Sequence, residues 1–382
     1  MIDDMISSST TTHPISLVSG TIPVDAYGFK RGVIGASSVS VSTAELACAA
    51  AHMGDASMFP VLGSTPRSYI EMMWRRSMVL SAVELEGGRW FRTTAYDNLD
   101  ASEKSAVSYF LGMVQGTVIA QKLLGTPYLV HVDAVLKALK QQTGKKRPDL
   151  VGYSTIPTTK NAMNQTRLWL EAKGRSTTYD SEAIDSALVQ LGKRKSPKSP
   201  PNQALQFLGT PTIRVALECY FDMSFGRGKP STHYWRTHLE DPPSNGNGIF
   251  PRLSDDMYCS IIDYVHYSPV IGAVKWLKEA IPELVKTDEG WVRATLPGED
   301  TVLDISDSLW QVFEGIDDAE GLTEENYDAL TALRNNGWAI PQSFTQPAQD
   351  SEWWLAEQDS PVRYWMKPLP SVSKYRNLSD SQ

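Results

Sequence analysis

The 382-residue chain holds 36 Lys and Arg against 44 Asp and Glu, a formal net charge of −8, and 41% of it is apolar. This is the composition of a globular protein of two or three domains, and it excludes a uniformly basic nucleic-acid binder. No apolar run approaches the roughly 18 residues of a membrane span, the acidic start is unlike a secretory signal, and three scattered cysteines (Cys48, Cys219, Cys259) fit neither a disulfide framework nor a zinc cluster. A cytoplasmic protein with no membrane partner is expected.

Residues 1–25 are Ser/Thr-rich and read as a flexible tail. Residues 26–101 read as an extension packing on a core. Within them, Ser42 caps a helix reaching His52, and Tyr69 to Val83 forms a second helix with a Met-rich apolar stripe. Gly87-Gly88 then turns into a strand. Residues 102–245 read as the core. Its long first helix runs from Ser102 to about Leu124, with apolar residues at 3.6 spacing, and stops at Gly125-Thr126-Pro127. Tyr128 to Val132 is a strand candidate, and its His131 reads as structural.

The central stretch follows. Arg147-Pro148-Asp149 leads into the apolar run Leu150-Val151. With 21 residues between, Asp149 is followed by Glu171, within Leu168-Trp169-Leu170-Glu171-Ala172-Lys173-Gly174. Alternation on a strand turns Leu168, Leu170 and Ala172 to one face and Glu171 and Lys173 to the other. Two carboxylates meeting at one point form a hard oxygen site for Mg²⁺ or Mn²⁺. A lysine beside them can position a water or stabilise charge on a phosphate. The alternative is an exposed Glu171–Lys173 ion pair on an ordinary strand, worth little.

Charge distribution supports a phosphate partner. Residues 137–198 hold 13 Lys and Arg against 5 Asp and Glu, while the rest of the chain is strongly acidic. Phosphate binding needs local positive charge, not a basic whole. Lys145, Lys146 and Arg147 precede the aspartate, and Arg175 follows Gly174.

The pattern Pro148-Asp149 … Glu171-Ala172-Lys173 resembles the PD-(D/E)XK nucleases, the restriction-endonuclease-like superfamily. The resemblance spans about residues 102 to 222. It implies an α/β (α+β) fold, a mixed sheet flanked by helices, with Asp149, Glu171 and Lys173 as catalytic residues and the two carboxylates as metal ligands. It implies a phosphodiesterase acting on nucleic acid, DNA foremost. Many relatives act in restriction or defence against phage. Several place a glutamine or a basic residue on the helix after the Glu/Lys strand, and Gln190, Lys193 and Arg194 are the nearest matches. Where many members carry an acid on the first helix, this chain has Gln115. The competing expectation is a catalytically silent, nuclease-like DNA-binding or assembly subunit.

Residues 246–345 read as a mainly helical, acidic C-terminal domain suited to a homodimer or protein partner. Two helices, 254–266 and 270–286, are expected to break at Ser268-Pro269. A hairpin from Trp291 to Leu303 follows, then helices Ser306–Glu314 and Thr323–Asn335. Residues 346–382 read as an extended tail rich in aromatics and proline.

Overall fold

The computed structural model describes residues 19–29, 34, 36–53, 66–141, 147–154, 166–191, 208–209, 211, 213–224, 232–241, 253–280, 284–296, 301–316, 322–341, 347, 354–356 and 360–367. The architecture is mixed α and β: a curled nine-stranded sheet flanked by helices, and a smaller antiparallel sheet of five strands.

The first strand, β1 (Ser19–Tyr27), corrects the expectation of a tail to residue 25. Ile22 and Val24 alternate inward, so this Ser/Thr-rich segment is a sheet member from Ser19. It pairs antiparallel with β2 (Ser38–Ser42). Ser42 then caps α1 (Thr43–His52) in a reciprocal box with Glu45. Next come α2 (Pro66–Ala82), the hairpin β3 (Val83–Glu86) and β4 (Arg89–Arg92), and the single turn α3 (Thr94–Asp97). Asp100 and Glu103 cap the long α4 (Ala101–Leu124) in the same reciprocal way, and Gly125 ends it at φ 57°.

The sheet that carries the motif is built next. Strands β5 (Tyr128–His131), β6 (Leu150–Ser154) and β7 (Thr166–Gly174) form an antiparallel run in that order, with α5 (Val132–Ala138) between the first two. Helix α6 (Ser181–Gln190) then returns the chain to β8 (Ile213–Ser224), which lies parallel to β7. Strand β9 (Thr232–Glu240) pairs antiparallel with β8 and links the motif strands to β1 and β4.

Apolar residues pack on both faces of this sheet. On one face Leu168, Leu170 and Ala172 meet Leu111, Val114 and Val118 of α4. On the other, Trp169 lies with Ile184 and Ala187 of α6 and with a long helix, α7 (Asp255–Ala280). The approach of α4 to β7 is very close. A methyl group on Gly174 would stand 1.6 Å from the Ser108 carbonyl oxygen, so only glycine fits there.

Helix α7 corrects the expected break at Pro269. It is one continuous helix with the proline inside it. Tyr258, Ile261, Ile262, Val265, Val270 and Ile271 are all buried, and that burial outweighs the hydrogen bond proline removes. The Ser268 hydroxyl, just before the proline, donates back to the Tyr264 carbonyl.

The second sheet runs β10 (Leu284–Lys286), β11 (Trp291–Thr295), β12 (Thr301–Ser306), β14 (Val362–Met366), β13 (Trp354–Ala356). The expected hairpin is present as β11 and β12. The expected extended tail instead supplies two paired strands, with Trp365 fully buried. Helices α8 (Asp307–Glu314) and α9 (Glu324–Asn335) stand where expected; Ser306 caps the first and Thr323 the second. Buried polar contacts join the parts. Tyr153 of β6 donates to Asp263 of α7 at 2.7 Å, and Arg334 of α9 donates to the other oxygen at 2.7 Å. No helix among the described residues is long and apolar enough to cross a membrane.

Candidate active site

Strand register brings the motif together. Leu150 lies opposite Leu170, which sets Asp149 beside Glu171 although 21 residues separate them. The Asp149 N–H donates to Glu171 Oε2 at 3.1 Å. The Ala172 N–H donates to Asp149 Oδ2 at 3.0 Å. Each strand thus holds the other's carboxylate. Lys173 donates to Glu171 Oε1 at 2.5 Å. The alternation read from sequence holds, but the Glu171–Lys173 pair is no surface ion pair. The Glu171 side chain is 1% exposed and Lys173 is 25% exposed.

The electrostatics follow from that burial. Desolvation, then the negative charge of Asp149, push the Glu171 carboxyl up to about 8, against the pull of Lys173. Asp149 is also raised, by desolvation first, with Lys173 opposing. The charge of Asp149 bears directly on Glu171, so the two titrate as a pair. With Glu171 protonated, Lys173 balances the charge of Asp149; a bound divalent cation would replace that proton and let both carboxylates ionise.

The donor set fits a hard cation of the Mg²⁺ kind. Among the described residues no group of three or more His, Cys, Asp or Glu is placed to cage a metal. Mg²⁺ is commonly held by one or two carboxylates, keeping waters and substrate phosphate in its other positions. Asp149 and Glu171 are such a pair, whereas a structural zinc would need four protein ligands.

A pocket of about 340 Å³ opens beside Asp149. Arg147, Pro148, His131 and Asp133 form one side, Tyr109, Phe110 and Met113 of α4 another, with Met53 and Gln190 completing it. Gln190, predicted from its place after the Glu/Lys strand, therefore faces the same space as Asp149. Arg147 also lines it, paired with Asp133. Arg175 lies at the exit of β7 and pairs with Asp180 and, at 3.9 Å, with Glu218. Lys145, Lys146, Lys193 and Arg194 lie outside the described residues. Arg167, part of the basic segment, is buried and structural: it bonds Asp255 and the carbonyls of Leu208 and Leu253.

Sequence reasoning gives no site role to three groups here, of which His131 reads as structural. His131 lines the pocket, and its charge would help hold Asp149 ionised. The Asp133 N–H donates to His131 Nδ1 at 3.2 Å, so the neutral ring carries its proton on Nε2, facing the Tyr109 hydroxyl at 3.5 Å. Tyr109 is the second group, and only its position on α4 against the sheet reveals it. Glu218 is the third. It sits beside Lys173 in the parallel register, fully buried, and accepts the Asp180 N–H at 2.9 Å. Its other oxygen has no hydrogen-bond partner among the described residues, and burial pushes the group up to about 7. An acid on a strand otherwise apolar, Leu217-Glu218-Cys219, was the available signal. Gln115, in the position where the resemblance looked for an acid, is fully buried and its amide is likewise unpartnered among the described residues.

Comparison with protein-family models, with curated proteins and with solved structures gave no match.

Proposed function

We propose that this chain is a metal-dependent nuclease of the PD-(D/E)XK kind, hydrolysing phosphodiester bonds in nucleic acid, DNA foremost. The carrying observation is the reciprocal hold between Asp149 and Glu171, with Lys173 against the same glutamate. The order of elements is compatible with that reading. A long helix is followed by three antiparallel strands, a helix, and a strand parallel to the third.

In this reading Asp149 and Glu171 hold Mg²⁺ or Mn²⁺. The bound ion supplies Lewis-acid polarisation of the phosphate and a more acidic attacking water. The protein's own groups do the rest. Lys173 keeps a positive charge next to Glu171 and orients the water or offsets charge growing on the phosphoryl oxygens. His131 and the Arg147–Asp133 pair give the pocket wall polar groups that can meet a phosphate oxygen. Gln190 offers an amide to a substrate oxygen or base across from Asp149.

The test is incubation with plasmid, linear and single-stranded DNA and with RNA, in Mg²⁺ or Mn²⁺. Parallel reactions use Asp149→Ala, Glu171→Ala and Lys173→Ala. Cleavage lost in all three supports the proposal. Binding without cleavage assigns the chain to the silent alternative, and cleavage unchanged in the variants removes the site.

A further inference from the structure

We propose that the substrate of this site is an unpaired nucleic-acid strand, whose bases stack along Trp74, Phe110 and Tyr109 on the way to Asp149. The proposal rests on the reading of the site as a phosphodiesterase, and its test separates the two.

Three aromatic rings adjoin one another beside the pocket. Phe110 of α4 lies edge to face with Trp74 of α2 at 5.4 Å between ring centroids, and with Tyr109 at 5.5 Å. Phe110 and Tyr109 both line the pocket that holds Asp149. The outer rings are strongly exposed, Trp74 at 52% and Tyr109 at 40%. One turn before Trp74, Ile70 is 61% exposed and extends the apolar surface along α2. A contiguous apolar patch open to water marks a binding surface.

The chemistry selects the occupant. The patch is continuous with a pocket lined by Asp149, the Arg147–Asp133 ion pair and His131; on the phosphodiesterase reading a metal at Asp149 would draw a phosphate there, so the ligand carries flat apolar groups and an anionic backbone together. Nucleic acid has both, and a protein partner would explain only the rings. A duplex hides base faces in its own stack and has none to offer. An unpaired strand presents every face, and each base–aromatic stack is worth about fivefold to a hundredfold in affinity. At about 340 Å³ the pocket is at the small end of ligand sites, a size for one nucleotide unit rather than a helix.

The experiment measures fluorescence anisotropy of labelled DNA and RNA oligonucleotides of one sequence, single-stranded and as duplexes. Ca²⁺ replaces Mg²⁺ so that strands are retained. Single strands are expected to bind about tenfold or more tighter than duplexes, and Trp74→Ala and Tyr109→Ala each to lose about fivefold or more on single strands only. Trp74→Leu serves should the alanine variant not fold. The DNA and RNA arms identify the sugar. Equal affinity for strand and duplex, no binding of either, or aromatic variants that bind as wild type overturns the inference. A strand preference with no cleavage in Mg²⁺ keeps the inference and removes the nuclease. Cleavage of duplex by wild type and Trp74→Ala alike keeps the nuclease and removes the inference.

Discussion

Asp149 and Glu171 are locked crosswise: the Asp149 N–H donates to Glu171 Oε2, and the Ala172 N–H on the glutamate strand donates to Asp149 Oδ2. This crossed arrangement fixes both side chains before any ligand arrives, and preorganisation of that kind is what electrostatic catalysis needs.

Replacing the metal ligands and replacing the lysine should have different signatures. Asp149→Asn and Glu171→Gln are expected to abolish both the rise in melting temperature on adding Mg²⁺ and the turnover, because binding to the folded state alone stabilises it. Lys173→Met is expected to keep the Mg²⁺ shift and lose about 10²-fold or more in turnover. Thermal melts with and without Mg²⁺, read against initial cleavage rates, check this. A Lys173→Met protein as active as wild type would sink the role given to the lysine.

The buried Asp263 depends on its partners. Arg334→Met would leave a carboxylate in the interior held only by the Tyr153 hydroxyl, and breaking such a pair costs about 3–5 kcal/mol. Tyr153→Phe removes one neutral donor to a charged group and should cost about half as much. Urea unfolding gives both values. Equal midpoints for Arg334→Met and wild type would count against the network as a structural tie.

Acid should loosen the contact between α1 and α7. His52 stacks on His266 at 4.0 Å between centroids and 5° between planes. Its Nδ1–H donates to the His266 carbonyl at 2.8 Å, which leaves Nε2 to accept from the Tyr364 hydroxyl at 3.0 Å. The neutral ring is therefore fully bonded, and burial lowers its pKa from 6.5 to about 4. Between those values the unfolded chain binds the proton and the folded chain does not. Stability should fall as pH drops through that window, by about 3 kcal/mol for this group. Unfolding midpoints at pH 7 and pH 4.5 measure the fall, and His52→Gln should reduce it. An unchanged pH slope in that variant would refute the assignment.

Gly174→Ala should be among the most damaging single methyl additions in the protein. The new atom would meet the Ser108 carbonyl and the α4 backbone, neither of which is a flexible side-chain end. A loss of roughly 3 kcal/mol, with turnover falling alongside, is expected. Differential scanning calorimetry and cleavage rates test it, and a variant that melts with wild type would disprove the close packing.

Local pattern made much of this legible. The alternation around Glu171 gave the strand and its two faces, and Ser42, Ser306 and Thr323 announced helix starts. What escaped was long-range. Nothing near Glu171 in sequence says that α6 and α7 cover its face and bury it. Ile22 and Val24 alternate over too few residues to outweigh the serines and threonines around them. Pro269 obeys its local preference only when the helix is not buried on nearly all sides. The strands near Trp365 become strands because β12, some sixty residues earlier, offers an edge. Tyr109 and Glu218 have no motif at all. They belong to the site through packing and register.

Strand β14 lies inside its sheet, between β12 and the edge strand β13, and its Tyr364 closes a bond to a histidine 312 residues earlier. During synthesis the ribosome therefore releases the N-terminal helix long before its last neighbour exists. The face around His52 has to wait, wet and incomplete, until residue 366 emerges. A slow, chaperone-sensitive final step is the natural outcome of threading so late a strand inside its sheet.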